Sequence, residues 1–140
     1  TRARQALRRD QPEAARVSPW LGIAIGGAAG TLVRWGLGGW IQHVSGGTFP
    51  WGTLVINVAG CAALGALAAF TDRGGFVTPQ WRMALQIGVL GGFTTYSTFG
   101  LETFRLVSAG DMGRAAAYFG LTSAGGFAAV WLTYRLVERA

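Results

Sequence analysis

The sequence predicts an all-α membrane protein built from four transmembrane helices. Half of its 140 residues are hydrophobic and only 13% are charged, whereas soluble domains usually carry about 25% charged residues. Four apolar segments each provide the roughly 20 helical residues that cross a bilayer. None of them alternates polar and apolar positions as the strands of a membrane β-barrel do. The connections between the segments are short, so a four-helix bundle follows.

The four segments make up one transmembrane domain over residues 19–138. The first segment spans residues 20–41 and is interrupted only by Arg34, whereas the other three, at 51–70, 83–101 and 115–134, carry no charge. Prolines precede the second and third segments, where the missing N–H of a proline does no harm to a starting helix. The sequence therefore predicts one bundle and no separate soluble domain.

Residues 1–18 form a polar, arginine-rich arm that we expect to be partly disordered and cytoplasmic. All 12 basic residues of the chain are arginines and the net charge is +6. Five of the arginines lie in the first sixteen residues, and most others lie near the ends of apolar runs. This placement favours contact with anionic lipid over nucleic acid. We expect a multi-pass protein of the cell inner (plasma) membrane, with membrane lipid as a partner and no nucleic acid.

Small residues recur at spacings that allow helices to pack closely in lipid. Gly26 and Gly30 are four residues apart in the first segment, and Gly60 and Gly65 lie in the second. Four short helices enclose little interior, so we expect a second subunit to complete any enclosed path.

Polar side chains inside the apolar segments are costly and by default mark a function. Asn57 offers amide donors or forms a hydrogen bond between helices, and Arg34 lies near a site or extends to the membrane interface. Glu102 is either functional or an interfacial carboxylate. Tyr118 and Thr122 are four residues apart and therefore share one face of the fourth helix.

The third segment contains GVLGGFTTYSTFG (88–100), which weakens a helix at membrane depth. Two adjacent glycines lower helix stability, and the four hydroxyl side chains that follow can bond to backbone carbonyls. A broken helix at this depth is tolerated only where it is buried in protein or lines a wet cavity. We expect the segment to unwind at Gly91-Gly92; the alternative is a kinked packing helix.

Three stretches of the chain carry these glycine and polar patterns in sequence order: GGAAGTLVRW (26–35), FPWGTLVINVAG (49–60) and GGFTTYSTFGLE (91–102). They resemble the GGxxGAxxRY, FPxGTLxVNxxG and GGxTTFSTFSxE signatures of the Fluc (CrcB) family of fluoride channels. The resemblance extends to about residue 126 and leaves only the arm outside it. It implies a channel through which fluoride leaves the cytoplasm passively, which lowers fluoride toxicity.

The resemblance further implies an antiparallel, dual-topology homodimer of four-helix subunits with a broken third helix, two pores and one central structural sodium ion. The backbone carbonyls of Gly91 and Thr94 from both subunits would bind the sodium ion. Arg34 and Glu102 would lie at a vestibule and a pore mouth. The fluoride-pore residues would be Asn57, Tyr96, Phe99, Thr53, Ser97, Tyr118 and Thr122. Asn57 would donate to the anion, and the rings of Tyr96 and Phe99 would present their edges to it.

Two departures from the family pattern bear on the pore. Tyr96 stands where the pattern has Phe, and Gly126 stands where a further polar residue of the fourth helix is usual. Two other functions stay open: a small four-helix proton-coupled drug or cation antiporter, for which only Glu102 could exchange protons, and a non-conducting assembly subunit. The sequence contains no nucleophile–base pair typical of an enzyme.

Overall fold

A computed structural model describes residues 18–140, and the arm predicted over residues 1–18 lies almost wholly outside this part of the chain. The described part is helical, with six α-helices and one π-helical segment that precedes α4. The bounds are α1 Pro19–Ser45, α2 Trp51–Asp72, α3 Pro79–Met83, the π-helical segment Ala84–Leu90, α4 Gly91–Phe93, α5 Tyr96–Ser108 and α6 Met112–Arg139. These elements fall into the four predicted segments, the third of which comprises α3 to α5.

The helices begin and end where the sequence provides start and stop signals. Pro19 opens α1 and Pro79 opens α3 at the first helical position, where proline lacks only an N–H that would have no partner. Gly46, at φ +62°, follows the last residue of α1. The Asp111 side chain accepts a hydrogen bond from the Arg114 N–H and caps α6.

The third segment leaves the helix at Thr94 and Thr95, and not at the glycine pair as expected from the sequence. Gly91 and Gly92 are helical, whereas Thr94 (φ −88°, ψ 160°) and Thr95 (φ −150°, ψ 114°) are extended. Gly92 has a packing role instead, because a Cβ there would lie 2.5 Å from the Gly27 carbonyl oxygen of α1. Helix α5 restarts with the Thr95 hydroxyl accepting from the Thr98 N–H.

Glycines bring the backbones of neighbouring helices together, as the spacing of small residues predicts. A Cβ on Gly26 of α1 would lie 2.7 Å from the Ala84 carbonyl oxygen of the π-helical segment. A Cβ on Gly65 of α2 would lie 2.5 Å from the Thr133 hydroxyl of α6. The most extensive packing is between α2 and α6, followed by α1 against the π-helical segment.

The surface of the helices is that of a membrane protein. Helices α2 and α6 are long and apolar enough to span a bilayer, and only 28% and 22% of the residues in their most apolar windows are buried. A core helix of a soluble protein would be mostly buried. Large apolar side chains such as Trp35 and Phe127 are instead 79% and 76% exposed, which indicates a lipid-facing or subunit-facing surface.

Candidate functional site

The centre of the site is the two-residue interruption between α4 and α5, which we call the break. Asn57 of α2 forms two hydrogen bonds with the break. Its Nδ2 donates to the Thr95 carbonyl oxygen at 3.0 Å, and its Oδ1 accepts from the Thr95 N–H at 2.8 Å. The carboxamide therefore pairs with both polar groups of an extended residue that no helical ladder can satisfy. An amide nitrogen carries two hydrogens, so one N–H of Asn57 remains for another acceptor.

The break frees two backbone carbonyls from their α-helical donors. In a continuous helix the N–H of Thr95 would bond to Gly91 and that of Thr98 to Thr94. Here the Thr95 N–H donates to Asn57 and the Thr98 N–H to the Thr95 hydroxyl. Within residues 18–140, the Gly91 and Thr94 carbonyl oxygens therefore lack their α-helical donors.

Arg34 satisfies a third carbonyl at the break. Its Nε donates to the Gly92 carbonyl oxygen at 3.0 Å, and the Thr31 hydroxyl lies 3.4 Å from the same oxygen. The guanidinium is thus turned toward the bundle, where it supports the end of α4 with a charge-assisted hydrogen bond.

Glu102 of α5 is held by hydroxyl groups from two other helices. The Thr53 hydroxyl of α2 donates to one carboxylate oxygen at 3.1 Å, and the Tyr118 hydroxyl of α6 donates to the other at 2.7 Å. Tyr118 is fully buried. These bonds tie α2, α5 and α6 together beside the break.

Phe99 lies in an aromatic cluster beside this network. Its ring centroid is 5.3 Å from that of Tyr118, 5.6 Å from that of Phe119 and 5.8 Å from that of Tyr96. Such separations are favourable for tilted aromatic pairs. Phe99 is 5% exposed and therefore fixed by packing, whereas Tyr96 is 83% exposed and held on one side only.

Two cavities meet at the break, and Thr95 lines both. The first, which we call the wide cleft, has a volume of about 650 Å³ and is lined by Arg34, Thr53 and Glu102. The second, which we call the narrow groove, has a volume of about 370 Å³. The predicted site residues that line the narrow groove are Asn57, Tyr96, Phe99, Thr122, Gly91 and Thr94.

The narrow groove is lined without a charged side chain from the described part of the chain. Thr122 contributes a hydroxyl that is buried and has no hydrogen-bond partner among residues 18–140. Cys61 packs closely against Gly126, since its Sγ would be only 3.2 Å from a Cβ built at that position. The thiol of Cys61 therefore borders the groove where a further polar residue was missing from the sequence pattern.

Two predicted residues line neither cavity. Ser97 is exposed on α5 and Tyr118 is buried behind Phe99.

The sequence reasoning also missed two glutamines. Gln42 joins the end of α1 to the start of α2, since its amide donates to the Phe49 carbonyl oxygen and accepts from the Gly52 N–H. Gln86 lines the narrow groove. Its single amide side chain within an apolar segment is the sequence feature that could have marked it as a site residue.

Comparison with known proteins shows similarity over most of the chain. The family model described as CrcB-like protein, Camphor Resistance (CrcB) matches residues 21–134. A relative from Acidobacterium capsulatum is 44% identical over 113 residues, which is 81% of this chain and 90% of the relative. A relative from Symbiobacterium thermophilum is 42% identical over 84% of this chain and 96% of its own length. These relatives are named fluoride-specific ion channel FluC and FluC 2, respectively.

Proposed function

The chain belongs to the CrcB family, and from this premise we propose that it is a fluoride-specific channel through which fluoride leaves the cytoplasm down its gradient. The observation that carries the proposal is the narrow groove at the break, with neutral donors and aromatic rings in its wall. The protein is a membrane channel and not an enzyme. The resemblance read from the three sequence stretches is confirmed by the family match over residues 21–134.

The chemistry of the groove suits a small, strongly hydrated anion. An ion that leaves water must find donors that replace its hydration shell, yet it must be bound weakly enough to leave again. The free N–H of Asn57 and the unpartnered hydroxyl of Thr122 are neutral donors of this kind. The positive edges of the Phe99 and Tyr96 rings add attraction without a full charge. Among residues 18–140, no fixed cation that would trap the ion lines the groove.

The contacts of the remaining predicted pore residues indicate the role of each. The Thr53 and Tyr118 hydroxyls donate to Glu102, so either hydroxyl can serve an anion only by exchanging that bond. Ser97 is exposed on α5 and would meet the path where a second subunit covers it. Arg34 and Glu102, which line the wide cleft, would form the vestibule and the pore mouth.

The functional unit is an antiparallel, dual-topology homodimer. Within residues 18–140 of one subunit, the narrow groove stays open on one side. At Gly100 and Gly120, a Cβ built on the backbone would meet no atom of a neighbouring element within 4 Å. Small residues normally mark close contacts between helices in membranes. A second copy would cover these glycines and close two grooves into two pores.

A structural sodium ion at the dimer centre fits the carbonyls freed by the break. Hard monovalent cations are bound by backbone carbonyl oxygens in membrane proteins. Gly91 and Thr94 of each subunit would supply two oxygens, so that both subunits together would supply four. Within residues 18–140 no group of three or more His, Cys, Asp or Glu side chains offers another metal site. The ion would hold the two breaks together.

The chain spans the inner (plasma) membrane four times, with α1, α2, the third segment with its broken helix, and α6 as the spans. An antiporter is not supported by these findings. Its one candidate proton carrier, Glu102, has both carboxylate oxygens occupied by hydroxyl donors, and the relatives are named channels.

A fluoride electrode tests the proposal. Purified protein in liposomes loaded with potassium fluoride should release fluoride when valinomycin carries potassium out, and Asn57→Asp should abolish the release. The introduced carboxylate would retain an acceptor for the Thr95 N–H but would place a negative charge in the anion path. Wild-type liposomes that release no more fluoride than protein-free liposomes would refute the function.

A further inference from the structure

Two polar side chains that line the narrow groove, Gln86 and Ser123, have no task in the proposed function, and Gln86 is the less exposed of the two. Gln86, in the π-helical segment Ala84–Leu90, is half-buried and lines the groove together with Asn57, Phe99 and Thr122. Among the hydrogen bonds of residues 18–140, none involves its side-chain amide. Within this part of the chain, both N–H groups of the amide are therefore uncommitted.

An uncommitted carboxamide at this depth is unusual enough to require a reason. Polar residues in transmembrane segments mark ion or substrate pathways by default. The carboxamides of Asn57 at the break and of Gln42 at the end of α1 are engaged. Asn57 pairs with the Thr95 backbone, and Gln42 bonds to the backbone of Phe49 and Gly52. Gln86 differs from both because its amide makes no hydrogen bond within residues 18–140.

The backbone around Gln86 is π-helical and not α-helical. The Gly91 N–H bonds to the Gln86 carbonyl oxygen, five residues earlier, whereas an α-helix would pair Leu90 with it. A π-turn adds one residue and rotates the preceding helix face by about 100° relative to an uninterrupted α-helix. Such turns are frequent at functional sites. The π-helical segment thus includes the residue whose side chain lines the narrow groove.

We propose that Gln86 is a further fluoride ligand, whose side-chain N–H donates to the anion in the narrow groove. This inference rests on the proposed fluoride channel and adds a donor from the half of the third segment that precedes the break. Asn57 of α2 and Thr122 of α6 donate from two other elements. Fluoride is more strongly hydrated than chloride, so the loss of this donor weakens fluoride conduction.

Two substitutions at Gln86 test the inference in the full-length protein. Gln86→Met keeps the length of the side chain and removes its donors, and Gln86→Glu keeps the shape and replaces the NH₂ group with an acceptor. Because a hydrogen bond to a charged group contributes about one order of magnitude in an equilibrium or rate, we expect Gln86→Met to lower fluoride efflux from liposomes about tenfold. Gln86→Glu should lower it at least as far, because the carboxylate also repels the anion.

Ile87→Leu is the matched control, since Ile87 is the next residue, is 58% exposed and lines neither cavity. Its efflux should equal that of the wild type. Size-exclusion chromatography should give the same elution volume for all four proteins. Efflux of both Gln86 variants within about twofold of wild type would overturn the inference while leaving the channel proposal intact. A changed elution volume that accompanies the loss would overturn it too, because Gln86 would then be a subunit contact. Absence of fluoride efflux in the wild type would instead refute the channel function.

Discussion

The two hydrogen bonds between the Asn57 side chain and the Thr95 backbone allow a quantitative prediction. Asn57→Leu removes a side chain that makes two hydrogen bonds to the Thr95 backbone. Leucine is similar in size and apolar, so the main consequence is a partly buried N–H and C=O without partners. Each such group costs roughly 1–3 kcal/mol, which gives a destabilisation of roughly 2–6 kcal/mol for the pair.

Thermal melting in detergent measures this loss. We expect Tm to fall by roughly 5 °C or more, since 1 kcal/mol shifts the Tm of a domain of this size by a few degrees. Val55→Leu is the control on the same helix. Val55 is 39% exposed and makes no hydrogen bond through its side chain, so its Tm should stay within about 1 °C of wild type because surface substitutions cost under about 0.5 kcal/mol.

Amide hydrogen exchange at Thr95 locates the effect. The Thr95 N–H is protected by a side chain rather than by a helical ladder, so its exchange should accelerate in Asn57→Leu while the amides of α2 keep their protection. An unchanged Thr95 amide together with an unchanged Tm would refute the reasoning, because the break would then be held by something other than Asn57.

Further predictions concern the aromatic cluster, the ion, the packing and the arm. Phe99→Ile should leave a folded protein, with a cost of about 1–2 kcal/mol from lost aromatic pairs, but abolish fluoride efflux because the ring edge is gone. Replacing sodium with N-methyl-D-glucamine should lower Tm. If the starting buffer contains sodium at 100 times its Kd, the loss of stability should be about 2.7 kcal/mol. Gly26→Val should destabilise by about 1–3 kcal/mol through overpacking against the Ala84 carbonyl, whereas Gly36→Ala, which has open space, should not. Deleting residues 1–16 should leave transport intact.

Each of these has an outcome that contradicts it. Wild-type efflux in Phe99→Ile would show that bulk and not the ring edge matters, and equal melting in both salts would argue against the sodium site. A stable Gly26→Val protein would mean that α1 does not approach the π-helical segment as closely as described. Lost transport with normal membrane insertion would give the arm a functional role.

The number and order of the helices were predictable because hydrophobicity and the start and stop signals of helices act locally. Pro19, Pro79 and Gly46 lie at helix ends for reasons visible in the sequence. Each of the four apolar segments became a helix or a run of short helices. The lengths were slightly underestimated, since polar ends such as Asp72 and Arg139 continue a helix beyond its apolar part.

The position of the break was not predictable from propensity alone. The glycine pair is the weaker helix former, yet Gly92 stays helical because α1 packs directly against it. The interruption falls at Thr94 and Thr95, where Asn57 supplies hydrogen bonds that replace the helical ladder. That partner is 38 residues away in sequence, so the tertiary contact and not the local sequence decides where the helix opens.

The grouping of the site residues was only partly foreseeable. The sequence marked Thr53, Glu102 and Tyr118 as polar residues in apolar helices, but their mutual hydrogen bonds depend on how α2, α5 and α6 pack. Likewise, the π-helical segment leaves no sequence signature that distinguishes it from an α-helix. Gln86 was therefore not recognised as a groove residue, because its place there depends on how the π-helical segment packs against α2.

The reversal potential of the purified protein in a planar bilayer tests the central claim most directly. With a fluoride gradient of about tenfold and equal chloride on both sides, a passive fluoride-selective channel should reverse at the fluoride equilibrium potential, about 59 mV. Adding a pH gradient should not move that value. A reversal potential near zero, or one that follows the proton gradient, would contradict the account.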